Sequence, residues 1–320
     1  MLILRFGACL FPLALMVAGA NAASGQDYPN KPIRIVTAAA GGANDFTARL
    51  IAQGISGPLG QAVIIDNRAG TFSVETVAKA LPDGYTVLLY GSAIWLTTFL
   101  RDTVPWDPVR DFSPITMADR LPNILVLHPS VAANSVRELI ALAKARPGEL
   151  NYASGPAGAT SHLAGELFKV MAGINVVRIP YKSGGAVVIA TMGGEVQLSF
   201  PSAGAATPHL KSGRLRALAV TSAQPSALTP GLPTVAASGL PGYESVSTTG
   251  IFAPAKTPGA IINRLNQEIV RVLNQVETKE RLLSNGAEAV PSSPEQLTAY
   301  IRSEIATTGK MIKTVGIRAD

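Results

Sequence analysis

The sequence predicts an α/β protein of two similar lobes, each a mainly parallel sheet flanked by helices, with the chain crossing twice between them. Strand-like and helix-like runs alternate along most of the chain. The strand-like runs are continuous Val/Ile/Leu stretches, the pattern of strands covered on both faces. A unit of strand, glycine-rich turn, helix and returning strand occurs twice, at 33–67 and 150–181. A length of 320 residues suits two domains.

The elements follow in order. "PIRIVTA" reads as a buried strand and "NDFTARLIAQGISGPLG" as a helix, with Phe46, Leu50, Ile51 and Ile55 near helical spacing and Gly54 or Gly57 closing it. "AVIIDN" is a second strand, "SVETVAKALPDGY" a helix stopped by Pro82 and Gly84, and "YTVLLYG" a third strand. "NILVLHP" and "SVRELIALAKARPG" repeat strand and helix, and "LNYASGPAGATSHLAGELFKVMAGINVVRIPY" repeats the whole first unit. "GEVQLSF" and "LRALAVTS" are further strands. The Pro/Ser/Ala/Gly-rich stretch that follows reads as a connection with little regular structure. "TTGIFAPA" is a strand, and two amphipathic helices end the chain, too few strands for a lobe of their own. The tail is therefore expected to complete the first lobe. The expected division is 1–22 as an export signal, 23–120 with 243–320 as lobe 1, and 121–242 as lobe 2, of which 222–242 is the connecting segment.

Charged residues make up 15% of the chain and apolar residues 47%, so it can bury large cores. The formal charge of +6 is scattered, without the dense Lys/Arg run of a nucleic-acid groove. At the start, Arg5 precedes an apolar run and Ala20-Asn21-Ala22, a small-x-small site. This reads as a signal cut after Ala22, with an uncleaved amphipathic anchor as the alternative. Cys9 is the single cysteine and lies inside that segment, so the mature chain is expected to hold its fold without disulfides.

The two glycine-rich loops are the candidate site. Ligands of open α/β sheets settle at the carboxyl ends of the strands. The helices that begin there offer unpaired N–H groups and a partial positive charge. Gly41 and Gly42 let the backbone approach a ligand, as do Gly155 and Gly158. Ser154, Thr160 and Ser161 add hydroxyl donors. An oxyanion held between the loops by four or five charge-assisted bonds of roughly 1.5–3 kcal/mol each needs no lysine or arginine. Two tight turns without a ligand explain the same residues. Asp45 reads as a helix cap, as an ion-pair partner of Arg49, or as a contact for an amino or hydroxyl group. "AAAGGAND" is not a dinucleotide fingerprint, and no phosphate-loop motif occurs.

Other chemistry finds little support. His162 and Glu166 stand four apart on one helix, either as an acid–base pair or, for His162, as a locally bonded helix-start histidine. His128 and His209 are isolated. No nucleophile elbow or metal-spaced cluster appears and no thiol is expected in the mature chain, so no catalytic residue, metal or cofactor is expected. Tyr181 and Lys182 end a strand of the second lobe, and Tyr90 and Ser92 flank Gly91 at the end of the third strand of the first.

Stretches spread over nearly the whole mature length are similar to one family. They include "YPNKPIRIVTAAAGGANDFTARLIA", "IIDNRAG", "VAKALPDGYTVLLYGS", "VPWDPVRDFSPIT", "LNYASGPAGATSHLAGELFKVMAG", "PYKSGGA", "GRLRALAVTS", "LPTVAASGLPGYE" and "APAKTP". The chain resembles the extracytoplasmic solute-binding receptors of the tripartite tricarboxylate transporter family, the Bug receptors. The resemblance implies a two-lobed periplasmic-binding-protein fold, type II-like, that closes on a small carboxylate. It points to Ala39, Ala40, Gly41, Gly42, Asn44 and Asp45 in the first loop. In the second it points to Ser154, Gly155, Ala157, Gly158, Thr160, Ser161 and His162. Ser92, Tyr181, Pro201 and Ser202 complete the expected set. It also implies a membrane permease of one large and one small subunit, or a sensor protein, as partner; the receptor itself reads as a monomer. Two departures matter. Phe72 stands where the family has a glycine-rich turn and is expected to fill that space. Pro201 stands where many members carry an aspartate, which disfavours an amine on the ligand and leaves a non-amino acid, aromatic acids included, as the expectation. An exported hydrolase or isomerase acting on a small organic acid through His162 and Glu166 is the alternative.

Overall fold

The computed structural model describes residues 28–318, so the export signal expected at 1–22 lies outside the described residues. The first unit runs β1 (Ile33–Thr37), α1 (Ala43–Leu59), β2 (Val63–Asn67), α2 (Phe72–Ala78), β3 (Thr86–Gly91), α3 (Ala93–Leu100) and β4 (Phe112–Pro122). After Asn123 come β5 (Ile124–Leu127), α4 (Val136–Ala145), β6 (Asn151–Ser154), α5 (Thr160–Ala172) and β7 (Val177–Pro180). Then follow α6 (Gly184–Met192), β8 (Leu198–Ser199), α7 (Ala203–Lys211) and β9 (Arg216–Val220). Turns and bends fill 221–245. The tail adds β10 (Val246–Pro254), α8 (Gly259–Leu273), α9 (Val276–Ser284), β11 (Glu288–Ala289), α10 (Pro294–Glu304), a π-helical turn (Ile305–Gly309) and α11 (Lys310–Val315).

Two sheets result, ordered β11-β4-β10-β3-β1-β2 and β7-β6-β8-β5-β9. Each keeps a parallel trio, β2-β1-β3 in one and β7-β6-β8 in the other. Each then adds antiparallel strands, β10 beside β3 and β5 beside β8. The direction follows from the crossing. β4 runs the same way as β3, since both are antiparallel to β10. It ends at the carboxyl edge of the first sheet, and one residue later β5 enters the second. A strand entering at the edge where β6 and β8 end must run against them. The carboxyl edges of the two parallel trios therefore adjoin.

The crossing is fastened by backbone bonds. Thr221 N–H donates to Asn123 O at 2.9 Å. Asn123 N–H donates to Thr221 Oγ1 at 2.9 Å, and that hydroxyl donates to Asn123 O at 3.0 Å. The Asn123 side-chain amide donates to Phe200 O, and Ser245 N–H donates to Thr221 O at 2.9 Å. Asn123 and Thr221 are both buried, and these bonds pair their polar groups inside the protein where water is excluded.

One core of the first sheet lies under α1 and α8, built from Ile33, Ile35, Ile51, Ile55, Leu89, Ile251, Leu265 and Ile269. On the other face Trp95, Phe252, Leu297 and Ile312 pack α3 against the tail helices. In the second sheet Leu125, Tyr152, Phe168, Phe200 and Tyr243 form the main core.

Three expectations are corrected here. α1 does not stop at Gly54 or Gly57 but runs to Leu59, where Gly60 takes the left-handed cap at φ 64°. Gly54 instead allows close helix packing, because a Cβ there would lie 2.6 Å from Val272 of α8. α2 ends at Ala78, short of Pro82 and Gly84. Phe72 does not fill the loop space, being 66% exposed.

Two outcomes follow. Gly54→Ala forces α1 and α8 apart and is expected to cost about 1–3 kcal/mol by overpacking, measured by denaturant unfolding. An unchanged midpoint would show that the helices separate freely. Glu304, the last residue of α10, accepts a 2.5 Å bond from Trp95 Nε1. Burial pushes its carboxyl up to about 7. A folded value above the unfolded one makes this group's contribution greatest below pH 4.5, and it is lost as pH rises through 7. Glu304→Gln keeps an acceptor for Trp95. Its melting temperature is expected to gain on the native chain between pH 5 and pH 8, and a constant difference would contradict this.

Candidate functional site

The adjoining carboxyl edges hold a cavity of about 290 Å³ between the lobes. The first lobe supplies Ala38 after β1, Asn44 in the first turn of α1, Tyr90 to Ala93 at the end of β3, Leu96 and Leu100 on α3, and Ser247 of β10. The second lobe supplies Gly158 and Ala159, with Thr160 and Leu163 on α5. The two glycine loops thus meet across one space. At the meeting point Gly158 faces Leu100, whose Cδ1 would lie 2.7 Å from a Cβ there. Gly158 also has φ 79°, so both its conformation and its neighbour exclude a side chain.

The expected cradle of glycine amides differs in detail. Gly41 N–H, at φ 83°, donates to Asp45 Oδ2 at 2.9 Å. Gly155 N–H donates to Ser161 Oγ at 3.0 Å, and Gly158 N–H to His162 Nδ1 at 3.1 Å. Side chains of each following helix reach back and brace these amides, so they do not face a ligand. The N–H groups that have no acceptor among the described residues include Ala39, Ala40 and Gly42 in the first loop, Ala157 in the second, and the first helical turns at Ala43 to Asp45 in α1 and Thr160 with Ser161 in α5. Orphan donors and the positive helix ends coincide there.

Asp45 is buried and acts as the brace of the first loop. It takes Asn67 Nδ2 at 2.8 Å and pairs with Arg49 at 3.0 Å. Asn67 Nδ2 also donates to Ala38 O at 2.8 Å, which ties β2 to the loop. Burial pushes the Asp45 carboxyl up, but the bonds from Arg49, Gly41 and Asn67 outweigh it and hold it below the usual range. Behind the second loop, Arg178 of β7 donates to Ser154 Oγ at 2.7 Å and to Gly155 O at 2.9 Å. Sequence reasoning passed over Arg178, whose signal was one cation inside the apolar strand "VVRIP".

His162 is buried, and burial, reinforced by Arg178, lowers it to about 4. It is neutral at pH 7 and accepts from the loop. Glu166 is bound to Tyr152 OH at 2.5 Å and to Lys169 Nζ at 2.9 Å. The pair is therefore built into the loop support and the core and forms no acid–base couple at the cavity.

Of the expected residues, Asn44, Ser92, Gly158 and Thr160 line the cavity, and Ala39, Ala40, Gly42 and Ala157 belong to the loops beside it. The Ser92 hydroxyl makes no side-chain bond at the N-cap of α3. Tyr181 is turned away, its hydroxyl donating to Glu195 at 3.2 Å. Pro201 accepts from Ile124 N–H at 2.9 Å, and Ser202 bridges Asn123; both belong to the crossing and not to the cavity lining. The leucines of α3 and α5 and Ser247 were not anticipated. Among the described residues no group of three His, Cys, Asp or Glu side chains is placed to hold a metal. No helix there is long and apolar enough to cross a membrane.

Two lobes with swapped strands and helix starts converging on a shared cleft define a bilobed solute-binding protein. The model of the tripartite tricarboxylate transporter family receptor matches residues 47–317, and the chain belongs to that family. It is 35% identical over 301 residues to protein BugT of Bordetella pertussis, covering 92% of each chain. A structure of an R. palustris protein with adipate has 36% identity and a TM-score of 0.72, covering 91% of this chain and 99% of the other. MatC from Rhodopseudomonas palustris, with bound malate, has 26% identity and a TM-score of 0.68, covering 89% and 100%. The family is one of receptors rather than catalysts.

A folded value below the ordinary 6.5 makes the His162 contribution to stability present above pH 6.5 and lost as pH falls towards 4. His162→Gln, which keeps an acceptor for Gly158, is expected to flatten the melting temperature between pH 7 and pH 4.5. An identical slope in both chains would remove His162 from this role.

Proposed function

We propose that this chain is a periplasmic receptor that captures a small organic carboxylate without an amine in the inter-lobe cleft. Aromatic acids belong to the expected class. The carrying observation is the pair of helix starts from different lobes, with Asn44, Ser92 and Thr160 on one cavity that no acidic side chain lines. A carboxylate oxygen suits unpaired amides and hydroxyls, whereas an amino group finds no carboxylate to meet it. The structures of relatives with adipate and malate support the carboxylate class.

The braces divide the site into two roles. Asn44, Ser92, Thr160 and the first-turn amides near Asp45 and Ser161 meet the ligand. Asp45, Ser154, Gly155, Ser161 and His162 hold the loops in shape. The lobes, 23–120 with 243–320 and 121–242, move as bodies about the crossing, and ligand shifts the population towards the closed form. The chain is exported by a signal cut after Ala22 and works as a monomer. It delivers solute to a membrane permease of one large and one small subunit, or reports it to a sensor protein.

The test is a thermal-shift screen of the mature chain over mono-, di- and aromatic carboxylates, amino acids and sugars. A ligand at about a hundred times its Kd stabilises by about 2.7 kcal/mol. Carboxylates are expected to raise the melting temperature, and Ser92→Ala with Thr160→Val is expected to reduce the shift. A shift by sugars or amines alone would falsify the assignment.

A further inference from the structure

The walls of the cavity, as distinct from its donors, bear on how many charges the solute carries. We infer that the cleft takes a solute with one carboxylate and an uncharged hydrocarbon body, selected by Leu96, Leu100 and Leu163. The inference rests on the carboxylate reading of the same cavity.

The charges around the space are lopsided. No Lys, Arg, Asp or Glu lines it. Behind the second loop the Arg178 guanidinium is bonded to Ser154 and Gly155 and adds positive potential beside the start of α5. Behind the first loop stands a carboxylate, Asp45, its charge balanced by Arg49. One end of the cleft thus adds a guanidinium to its helix start, whereas the other has the start of α1 alone, with a neutralised ion pair behind it.

The apolar wall comes from both lobes. Leu96 and Leu100 are four apart on α3 and share a face. Leu163 on α5 joins them in one buried cluster. Only their edges reach the space, at 4%, 7% and 6% exposure for Leu96, Leu100 and Leu163, and a hydrocarbon body laid against those edges leaves water. A second carboxylate set against them gives up water without gaining a cation, and an unpaired charge is far costlier to desolvate than a methylene is favourable. A space of about 290 Å³ stands at the lower end of ligand pockets, which begin at about 300 Å³, and suits a small organic acid.

Hexanoate and adipate isolate the question, because they share a six-carbon chain and differ by the second carboxylate. Isothermal titration of the mature chain is expected to give hexanoate and benzoate at least tenfold tighter than adipate or malate. Leu100→Arg, which places a cation on the apolar wall, is expected to shift the hexanoate-to-adipate ratio at least tenfold towards adipate, while Leu100→Met keeps the native preference. The native-chain comparison decides the question even where the arginine variant does not fold. Adipate binding as tightly as hexanoate, or more tightly, overturns the single-charge inference and leaves the carboxylate reading standing. If no acid binds at all, the carboxylate reading falls and this inference falls with it.

Discussion

The bonds between Asn123 and Thr221 fix where the chain passes from one sheet to the other. Everything at the cleft depends on that position. Only one residue separates β4 from β5, so the carboxyl edge of one parallel trio lies against that of the other. Both glycine loops leave from those edges, and both helices that follow aim their first turns at the same space. A longer connection would have let the edges slide apart. The buried Asn123 side chain, held by Phe200, adds a third anchor from β8 and its loop.

Lining a cleft with neutral groups has a physical logic. A lysine or arginine pointing into a closed cleft needs a partner whenever the cleft is empty, and an unpaired charge there is costly. Helix-start amides carry only fractional charge and tolerate water as a stand-in. The charges that are present, Asp45 with Arg49 and Arg178 with Ser154, are set one layer back and shape the loops. Their cost is met by hydrogen bonds that exist with or without ligand. The loops are thereby organised before a solute arrives, which reduces the ordering cost of binding.

Much of the architecture was readable from residue order. β1, β2 and β3 are short, largely apolar runs and β6 a short run leading into a glycine loop, and α1 and α5 begin at small or polar residues, so pattern and structure agree. The missed elements have two causes. α3, "AIWLTTFL", and α6, "GGAVVIATM", are apolar nearly all round and show no one-sided periodicity. β4, "FSPITMADRLP", carries two prolines and two charges, which hide a strand that pairs along most of its length with β10. At the site the loops and Ser92 were visible because glycine and serine mark turns. The leucines of α3 were not, since an apolar residue facing a cavity looks like any core residue. The Arg49 pair of Asp45 and the local bonding of His162 were among the readings the residues allowed, but which glycine amides Asp45, Ser161 and His162 take was not visible, because that depends on the angle between helix and loop.

The strand order also sets a schedule for assembly. The second sheet draws all its strands from 124–220, and it is complete once that span of chain is available. The first sheet is interrupted: its parallel trio ends at Gly91, and β10, which must lie between β3 and β4, arrives only after Ser245. Until then β3 and β4 each present an unpaired edge with open backbone donors and acceptors. The half of the protein written first is thus the last to close. In a chain emerging from its amino end, the interval before residue 246 is when stray pairing with other chains is the greatest hazard.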